Sequence, residues 1–232
     1  MSTTKPTNNP EGKCELCGEV LTKRKAAAHL KKCRATHPLA EGKKSAEIYT
    51  LAITAPPFSE FFLFVEMGAN QKLAALDQFL RDIWLECCGH CSTFIIDGVN
   101  YDSNTDYGGL DDMFEGNQSM NCKIGSVVGE KDVFEYEYDF GTTSYVKIAV
   151  AGVRETKEEP PKKPVLLMRN LEPKWACCVC GKPATIVNST GWGLAPDNVY
   201  CEACAESKVE DYARSPIKNS PRSGLCGYGF EE

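Results

Sequence analysis

Apolar and polar positions change period several times along the chain, and each change marks an element. Residues 1–12 carry Pro6 and Pro10 and no apolar periodicity, which predicts a disordered arm. Ile48-Tyr49-Thr50-Leu51-Ala52-Ile53-Thr54 is rich in β-formers and ends at Ala55-Pro56-Pro57, as a strand stopped by proline does. Phe61 to Met67 predicts a second strand. Leu73, Leu76, Phe79, Leu80, Ile83 and Trp84 then recur at helical spacing, which predicts an amphipathic helix from Asn70 to about Glu86, with Asn70 as N-cap. Ser92 to Ile96 returns to strand and turns at Asp97-Gly98. After a polar, acidic loop from Tyr101 to Gln118 and a short helical turn at Ile124 to Val128, Val133 to Tyr138 alternates with period two. A turn at Phe140-Gly141 leads into a long return strand, Ser144 to Val153.

This order predicts an α+β fold over residues 46–155: a small mixed or antiparallel sheet, one main helix and one core. The segment His37 to Lys44 reads as one linker, and the charged, proline-rich Thr156 to Pro164 as another, within a linker or strand spanning 156–170. Two small units flank the domain, one at residues 13–36 and one, with a Gly/Pro/Ser-rich tail, at residues 171–232.

Charge separates these units. Residues 1–44 hold ten Lys/Arg against four Asp/Glu, residues 45–155 six against eighteen, and the remainder ten against ten. A basic head on an acidic body points to the head as the part that meets a polyanion, with a solvated surface helix that has no partner as an equal alternative. No stretch approaches the ~18 apolar residues of a membrane span, and Met1 to Gly12 has no apolar signal core. The expectation is a soluble, cytoplasmic protein. In a reducing compartment its 13 cysteines suit metal ligation better than disulfides.

Their spacing supports that reading. Cys14 and Cys17 stand as C-x2-C, followed after eleven residues by His29 and Cys33 as H-x3-C. The first pair points two thiolates at one spot, and the second places both ligands on one helix face, a two-plus-two set that suits tetrahedral Zn2+. So short a segment has too few apolar residues to fold alone, and metal supplies the missing energy. Cys177-x2-Cys180 and Cys201-x2-Cys204 form two knuckles twenty residues apart, with Gly181 placed for a tight turn and Cys178 as the competing ligand. Four thiolates leave no open coordination position, so this unit reads as a structural zinc-ribbon-like site. The cofactor expectation is two structural Zn2+ ions.

Other clusters are weaker. Cys87, Cys88, His90 and Cys91 could form a third metal site, but they follow directly on the apolar helix end, where buried thiols are common, and core packing is favoured. Cys122 and Cys226 stand isolated. Asp102, Asp106, Asp111, Asp112 and Glu115 could hold a hard cation, though their spacing matches no metal loop and a solvated acidic loop is favoured. No phosphate-binding glycine loop, nucleophile elbow or paired catalytic motif occurs.

Residues 46–155 carry Phe79-Leu80-Arg81-Asp82-Ile83-Trp84, Gly89-His90 with Phe94, and Phe134-Glu135-Tyr136-Glu137-Tyr138-Asp139-Phe140-Gly141. On these residues the domain resembles the Ri-plasmid open-reading-frame-three family, also described as passenger proteins of insertion elements. The resemblance implies a compact α+β domain without a secure biochemical activity. Where that family often has acidic residues, a Trp and a His after Asp139-Phe140-Gly141, this chain has Thr142-Thr143-Ser144-Tyr145. Asn219-Ser220-Pro221-Arg222 with Cys226-Gly227-Tyr228 is similar to the tail of zinc-bearing members. Read physically, Asp139 suits a hairpin corner whose carboxylate accepts turn amides, with Phe140 capping the core.

The favoured function is a non-enzymatic zinc-binding module. Its basic finger, through Lys23, Arg24, Lys25, Lys31, Lys32 and Arg34, contacts the phosphates of RNA or DNA while the acidic domain docks protein. One finger reads only ~3 base pairs, so sequence-specific DNA recognition by it alone is not expected. The alternatives are a protein–protein adaptor with purely structural zinc sites and, behind it, a metal-dependent hydrolase built on the acidic loop.

Overall fold

The computed structural model describes residues 9–103 and 116–229. Asp106, Asp111, Asp112 and Glu115 of the acidic loop lie outside the described residues; Asp102 is buried and accepts a hydrogen bond from Asn117 Nδ2 at 2.7 Å.

The fold is α+β, and its sheet is larger than the small one expected. In chain order the strands and helices are β1 (Glu11–Cys14), β2 (Val20–Thr22), α1 (Lys23–Thr36), β3 (Glu41–Ala55), β4 (Phe58–Gly68), α2 (Leu73–Leu80), β5 (Ser92–Ile96), β6 (Val99–Asp102) and β7 (Gln118–Ser119). They continue with β8 (Val133–Tyr138), β9 (Ser144–Glu158), β10 (Val165–Asn170), β11 (Ile186–Asn188), β12 (Val199–Tyr200), α3 (Glu202–Lys208) and β13 (Arg214–Pro216). Ten strands form one sheet in the order β2-β1-β10-β4-β3-β9-β8-β5-β6-β7, and β12-β11-β13 form a second. All pairs are antiparallel except β6 with β7.

Each expected linker is strand in part. Glu41 pairs with Glu158 and Ala46 with Thr156, so β3 starts inside the first segment, β9 ends inside the second, and the two pair with each other. The N-terminal unit is not a separate bead either. Its first strand begins at Glu11, inside the segment expected to be an arm, and pairs with β10 (Gly12 opposite Asn170).

The chain closes on β4 for a reason visible in its side chains. Alternate residues of a strand face opposite sides. Phe61, Leu63, Val65 and Met67 enter the main core with α2, Trp84 and the sheet residues Leu51, Ile53, Phe94, Tyr136 and Ile148. Phe62 and Phe64 face the other way and join Cys14, Leu21, Ala26, Leu30, Cys33, Leu167 and Met168. The finger therefore packs on one face of the sheet. The C-terminal unit packs on the other, where Val187, Leu194 and Val199 enter the main core. On the finger side, buried Glu66 accepts hydrogen bonds from Arg34 of α1 at 2.6 Å and from Arg154 of β9 at 2.9 Å. Gly12 matches this packing, because a Cβ there would lie 2.7 Å from the Phe62 ring.

The main helix also departs from expectation. It starts at Leu73 rather than behind an Asn70 cap, and its first amides are satisfied by Cys122 O (3.0 Å) and Met120 O (3.0 Å) of the neighbouring segment. It is α-helical only to Leu80, and Arg81–Leu85 forms a π turn closed by Glu86 N to Arg81 O at 3.0 Å. Both Trp84 and Leu85 are fully buried at this turn.

Truncating Phe62 to Ala is expected to lower stability by about 3–5 kcal/mol and to raise hydrogen exchange in α1 and β1 before β3 and β9. Urea denaturation and hydrogen–deuterium exchange check this. If α1 stayed protected in the Phe62→Ala variant, the finger would not depend on β4.

Candidate metal centres

Three groups of side chains each bring ligand atoms within 4.8 Å of one another: Cys14, Cys17, His29 and Cys33; Cys177, Cys180, Cys201 and Cys204; and Cys87, Cys88, His90 and Cys226. The first two are the sets expected from spacing. In the third, Cys87 packs against the main core as expected, whereas Cys88 is exposed and meets His90 and Cys226, a cysteine that stands isolated in the sequence.

In the first, the β1–β2 hairpin forms the knuckle. Gly18 N donates to Cys14 O at 2.8 Å, with Gly18 at φ +79°. Helix α1 turns His29 and Cys33 toward it. Cys14 and Cys33 Sγ lie 3.9 Å apart, and Cys17 Sγ lies 3.5 Å from His29 Nε2. A tetrahedral Zn2+ with ordinary bond lengths spaces its ligands about 3.5–3.8 Å apart. Glu19 sits 3.3 Å from His29 Nδ1, on the ring nitrogen facing away from the thiols, where a carboxylate orients a ligating imidazole.

In the second, Gly181 (φ +73°) closes the knuckle by donating from its amide to Cys177 O at 2.9 Å, and Cys201 and Cys204 come from the start of α3. Cys180 and Cys201 Sγ are 3.6 Å apart. Cys178 stays outside the cluster, its amide bonded to Val199 O.

Crowding sets the charge in these clusters. Burial pushes the Cys177 thiol up, but the amides of Cys201, Cys180 and Val179 outweigh it and bring it down to about 6. Burial pushes Cys33 up to about 12, and the neighbouring thiols Cys17 and Cys14 add to the shift. Hydrogen bonding with Cys180 and Cys201 likewise holds Cys204 at about 12. One thiolate forms readily and its neighbours then resist ionising, an arrangement that a divalent cation at the centre reverses.

The third cluster sits where the tail returns to the body. Cys88 Sγ lies 2.9 Å from His90 Nε2 and 3.6 Å from Cys226 Sγ, and His90 Nε2 lies 3.1 Å from Cys226 Sγ. Cys87 Sγ is 3.5 Å from Cys88 Sγ. Cys91 is outside the group.

Beneath it lies the tail, for which the sequence offered no role. Arg222 is fully buried. Its guanidinium donates to Asp139 Oδ2 (2.6 Å), Thr142 O (3.0 Å), Ser144 Oγ (2.9 Å) and Cys87 Sγ (3.4 Å). Arg81 and Arg222 each place Cζ 4.8 Å from the centre of the Tyr138 ring. Ser220 Oγ donates to Trp84 O at 2.6 Å, and Asn170 Nδ2 to Asn219 Oδ1 at 2.7 Å. As expected, the Asp139 carboxylate accepts turn amides, from Gly141 at 3.0 Å and Thr142 at 3.2 Å. Burial raises its pKa, but the bonds from Arg222, Thr142 and Gly141 outweigh burial and hold it below the usual carboxylate range. Phe140 does not cap the core; it is exposed, and Arg222 fills the corner instead.

Of the basic residues, Arg24, Lys25, Lys31 and Lys32 lie exposed on α1. Arg34 is paired with Glu66, and Lys23 is half-buried with Nζ 5.6 Å above the Phe62 ring. Among the described residues, no helix is long and apolar enough to cross a membrane.

Replacing Arg222 by Ala leaves buried Asp139 without its guanidinium and is expected to cost about 3–5 kcal/mol in urea denaturation. Arg222→Lys recovers little, because one ammonium cannot reach the four acceptors that the planar fork reaches. Full recovery by Lys would show that charge alone suffices.

No family model and no curated protein matches the sequence. Among solved structures, the chain is similar to a protein of unknown function from Methanosarcina mazei Go1, at 14% identity and a TM-score of 0.43, over 56% of this chain and 70% of that one.

Proposed function

We infer that the protein is a non-enzymatic module stabilised by structural zinc, which binds the phosphate backbone of a nucleic acid through the outer face of α1. The carrying observation is how that helix divides its residues. Ala26, Leu30 and Cys33 face Phe62 and Phe64, while Arg24, Lys25, Lys31 and Lys32 face solvent. Ala27 and Ala28 lie exposed between the cations and leave the strip without bulky obstruction. The strip is held by the zinc-ligand set and by the sheet, so binding costs little ordering entropy. The acidic central domain keeps polyanions off the rest of the surface.

Thiolate and imidazole donors at near-tetrahedral spacing in the two terminal clusters support Zn2+ there. The run Tyr136 to Gly141 supports kinship with the Ri-plasmid open-reading-frame-three family, which adds a fold but no activity.

A second reading, a protein adaptor, is favoured by Trp192. It is 91% exposed and lines a cavity of about 190 Å³ with Thr142, Leu225 and Cys226. Exposed tryptophans beside a recess are common anchors for protein partners.

Lys31→Glu combined with Lys32→Glu is expected to weaken binding to single-stranded RNA or duplex DNA by at least about tenfold. It also lowers the slope of log affinity against log salt by about 2. Fluorescence anisotropy across a salt series reads both. Arg34→Gln, whose guanidinium is already held by Glu66, leaves the slope unchanged. If the double reversal left binding intact, the α1 reading fails, and a nuclease-resistant partner lost in Trp192→Ala would favour the adaptor.

Removing metal with a strong chelator is expected to raise hydrogen exchange in residues 14–33 and 177–204 while β3, β4 and β9 stay protected. Unchanged exchange in both segments would count against structural zinc.

A further inference from the structure

We propose that Cys87, Cys88, His90 and Cys226 form a third zinc site, which latches the C-terminal tail onto the connection after α2. The inference is independent of the basic helix.

Three arguments carry it. The donors converge from two segments 138 residues apart in sequence, so no local chain geometry brings them together. Gly89 (φ +75°) turns the chain so that Cys88 and His90 point to the same place, and its amide is fixed by Glu86 Oε1 at 2.6 Å. On the other strand of the latch, Cys226 takes a left-handed conformation (φ 47°) between Gly224 (φ 78°) and Gly227 (φ 73°). A non-glycine residue in that region is strained and needs something to hold it there.

The donor chemistry selects the cation. Three thiols and an imidazole suit Zn2+ and reject hard ions such as Mg2+ or Ca2+. Three thiolates and a neutral imidazole around Zn2+ leave a net charge of about −1. Arg222, already paired with Asp139, donates to Cys87 Sγ at 3.4 Å and offers that thiolate a charge-assisted hydrogen bond. The His90 ring packs edge-on against Tyr138 with centroids 5.8 Å apart, which fixes its plane. Cys88 and Cys226 are exposed, so the ligand shell can open by a few tenths of an ångström to accept the ion without disturbing the core.

The latch has a structural consequence. Between Asn219 and Cys226 the tail covers Trp84 O and supplies Arg222 to Asp139. Closing Cys226 onto Cys88 holds that stretch at both ends. Cys226 lines the cavity beside Trp192, so loading the site also sets the wall that Cys226 and Leu225 contribute there.

The test uses the full chain purified with Zn2+ under reducing conditions, with metal counted by plasma mass spectrometry. Wild type is expected to bind three equivalents. Cys226→Ser and His90→Ala each lose one, and in both the tail becomes sensitive to trypsin at Lys218 and Arg222. Cys91→Ser and Cys122→Ser, outside the cluster, lose none. Co2+ reconstitution gives a second readout: the thiolate charge-transfer band loses about a third of its intensity in Cys226→Ser. An unchanged metal count in both Cys226→Ser and His90→Ala overturns the proposal. So does a Cys88–Cys226 disulfide in the freshly purified wild type, found by peptide mass spectrometry after alkylation.

Discussion

The run Phe61 to Met67 is covered on both sides, and the rest of the molecule is arranged around that fact. A strand with one wet face alternates apolar and polar residues, whereas one buried on both faces reads as a continuous apolar run. Here the run is interrupted only by Glu66, and Glu66 is the position that meets Arg34 and Arg154. The odd-numbered residues close the core against α2, and the even-numbered ones form the floor on which the N-terminal finger sits. A finger whose two buried thiols, Cys14 and Cys33, lie among Phe62, Phe64 and Met168 does not depend on metal alone for its core. A metal held by Cys14, Cys17, His29 and Cys33 would fix the knuckle and the helix orientation, while the sheet covers the finger's apolar face. Release of such a metal would then loosen the finger without unfolding the domain.

A second constraint acts at the opposite end of β8. Tyr136 hydroxyl donates to Asp77 Oδ1 at 2.7 Å, and Ser92 Oγ to the same oxygen at 2.6 Å, while Arg81 Nε holds Oδ2 at 2.9 Å. Tyr138 lies between Arg81 and Arg222, and its hydroxyl reaches Glu86 Oε1 at 3.0 Å. The Tyr-x-Tyr-Asp-Phe-Gly run is thus a structural signature. Tyr136 and Asp139 meet the buried partners Asp77 and Arg222, which would be costly to leave unpaired. The π turn at Arg81–Leu85 belongs to the same arrangement, because it is the turn that carries Arg81 toward Asp77 and Ser92 while burying Trp84.

Legibility in the sequence followed the range of each interaction. Ligand pairs three or four residues apart mark themselves, so the eight terminal metal-type ligands are readable from spacing. The strands and α2 were readable from period. The apolar run at Phe61 to Met67 also carried its two-sided burial in plain view, but nothing local said which element would cover the second face. The linkers were misread because charge and proline mark exposure, and an exposed strand extension such as Glu155 to Glu158 has the composition of a linker. For Arg222 and Cys226 the sequence offers a family resemblance but no role: an arginine and a cysteine in a glycine-rich tail acquire one only when the chain brings them beside Asp139 and Cys88.

Charge placement gives the architecture a direction. Residues 45–155 carry twelve more acidic than basic groups, yet several of those carboxylates are spent internally: Asp77, Glu66 and Asp139 each neutralise a guanidinium. What remains outside still repels polyanions, while α1 presents four cations from the far face of the sheet. Screening limits such fields to about 8–10 Å at ordinary ionic strength, so they act only near the surface that generates them. A polyanion that met this body would be drawn to α1 and repelled by the acidic central strands, which would set its orientation. The Cys88, His90 and Cys226 cluster lies by the β8–β9 corner, beside Tyr138 and Asp139, whereas α1 packs over β1, β4 and β10. A partner bound at Trp192 and a polyanion bound at α1 would therefore meet the same body without competing for surface.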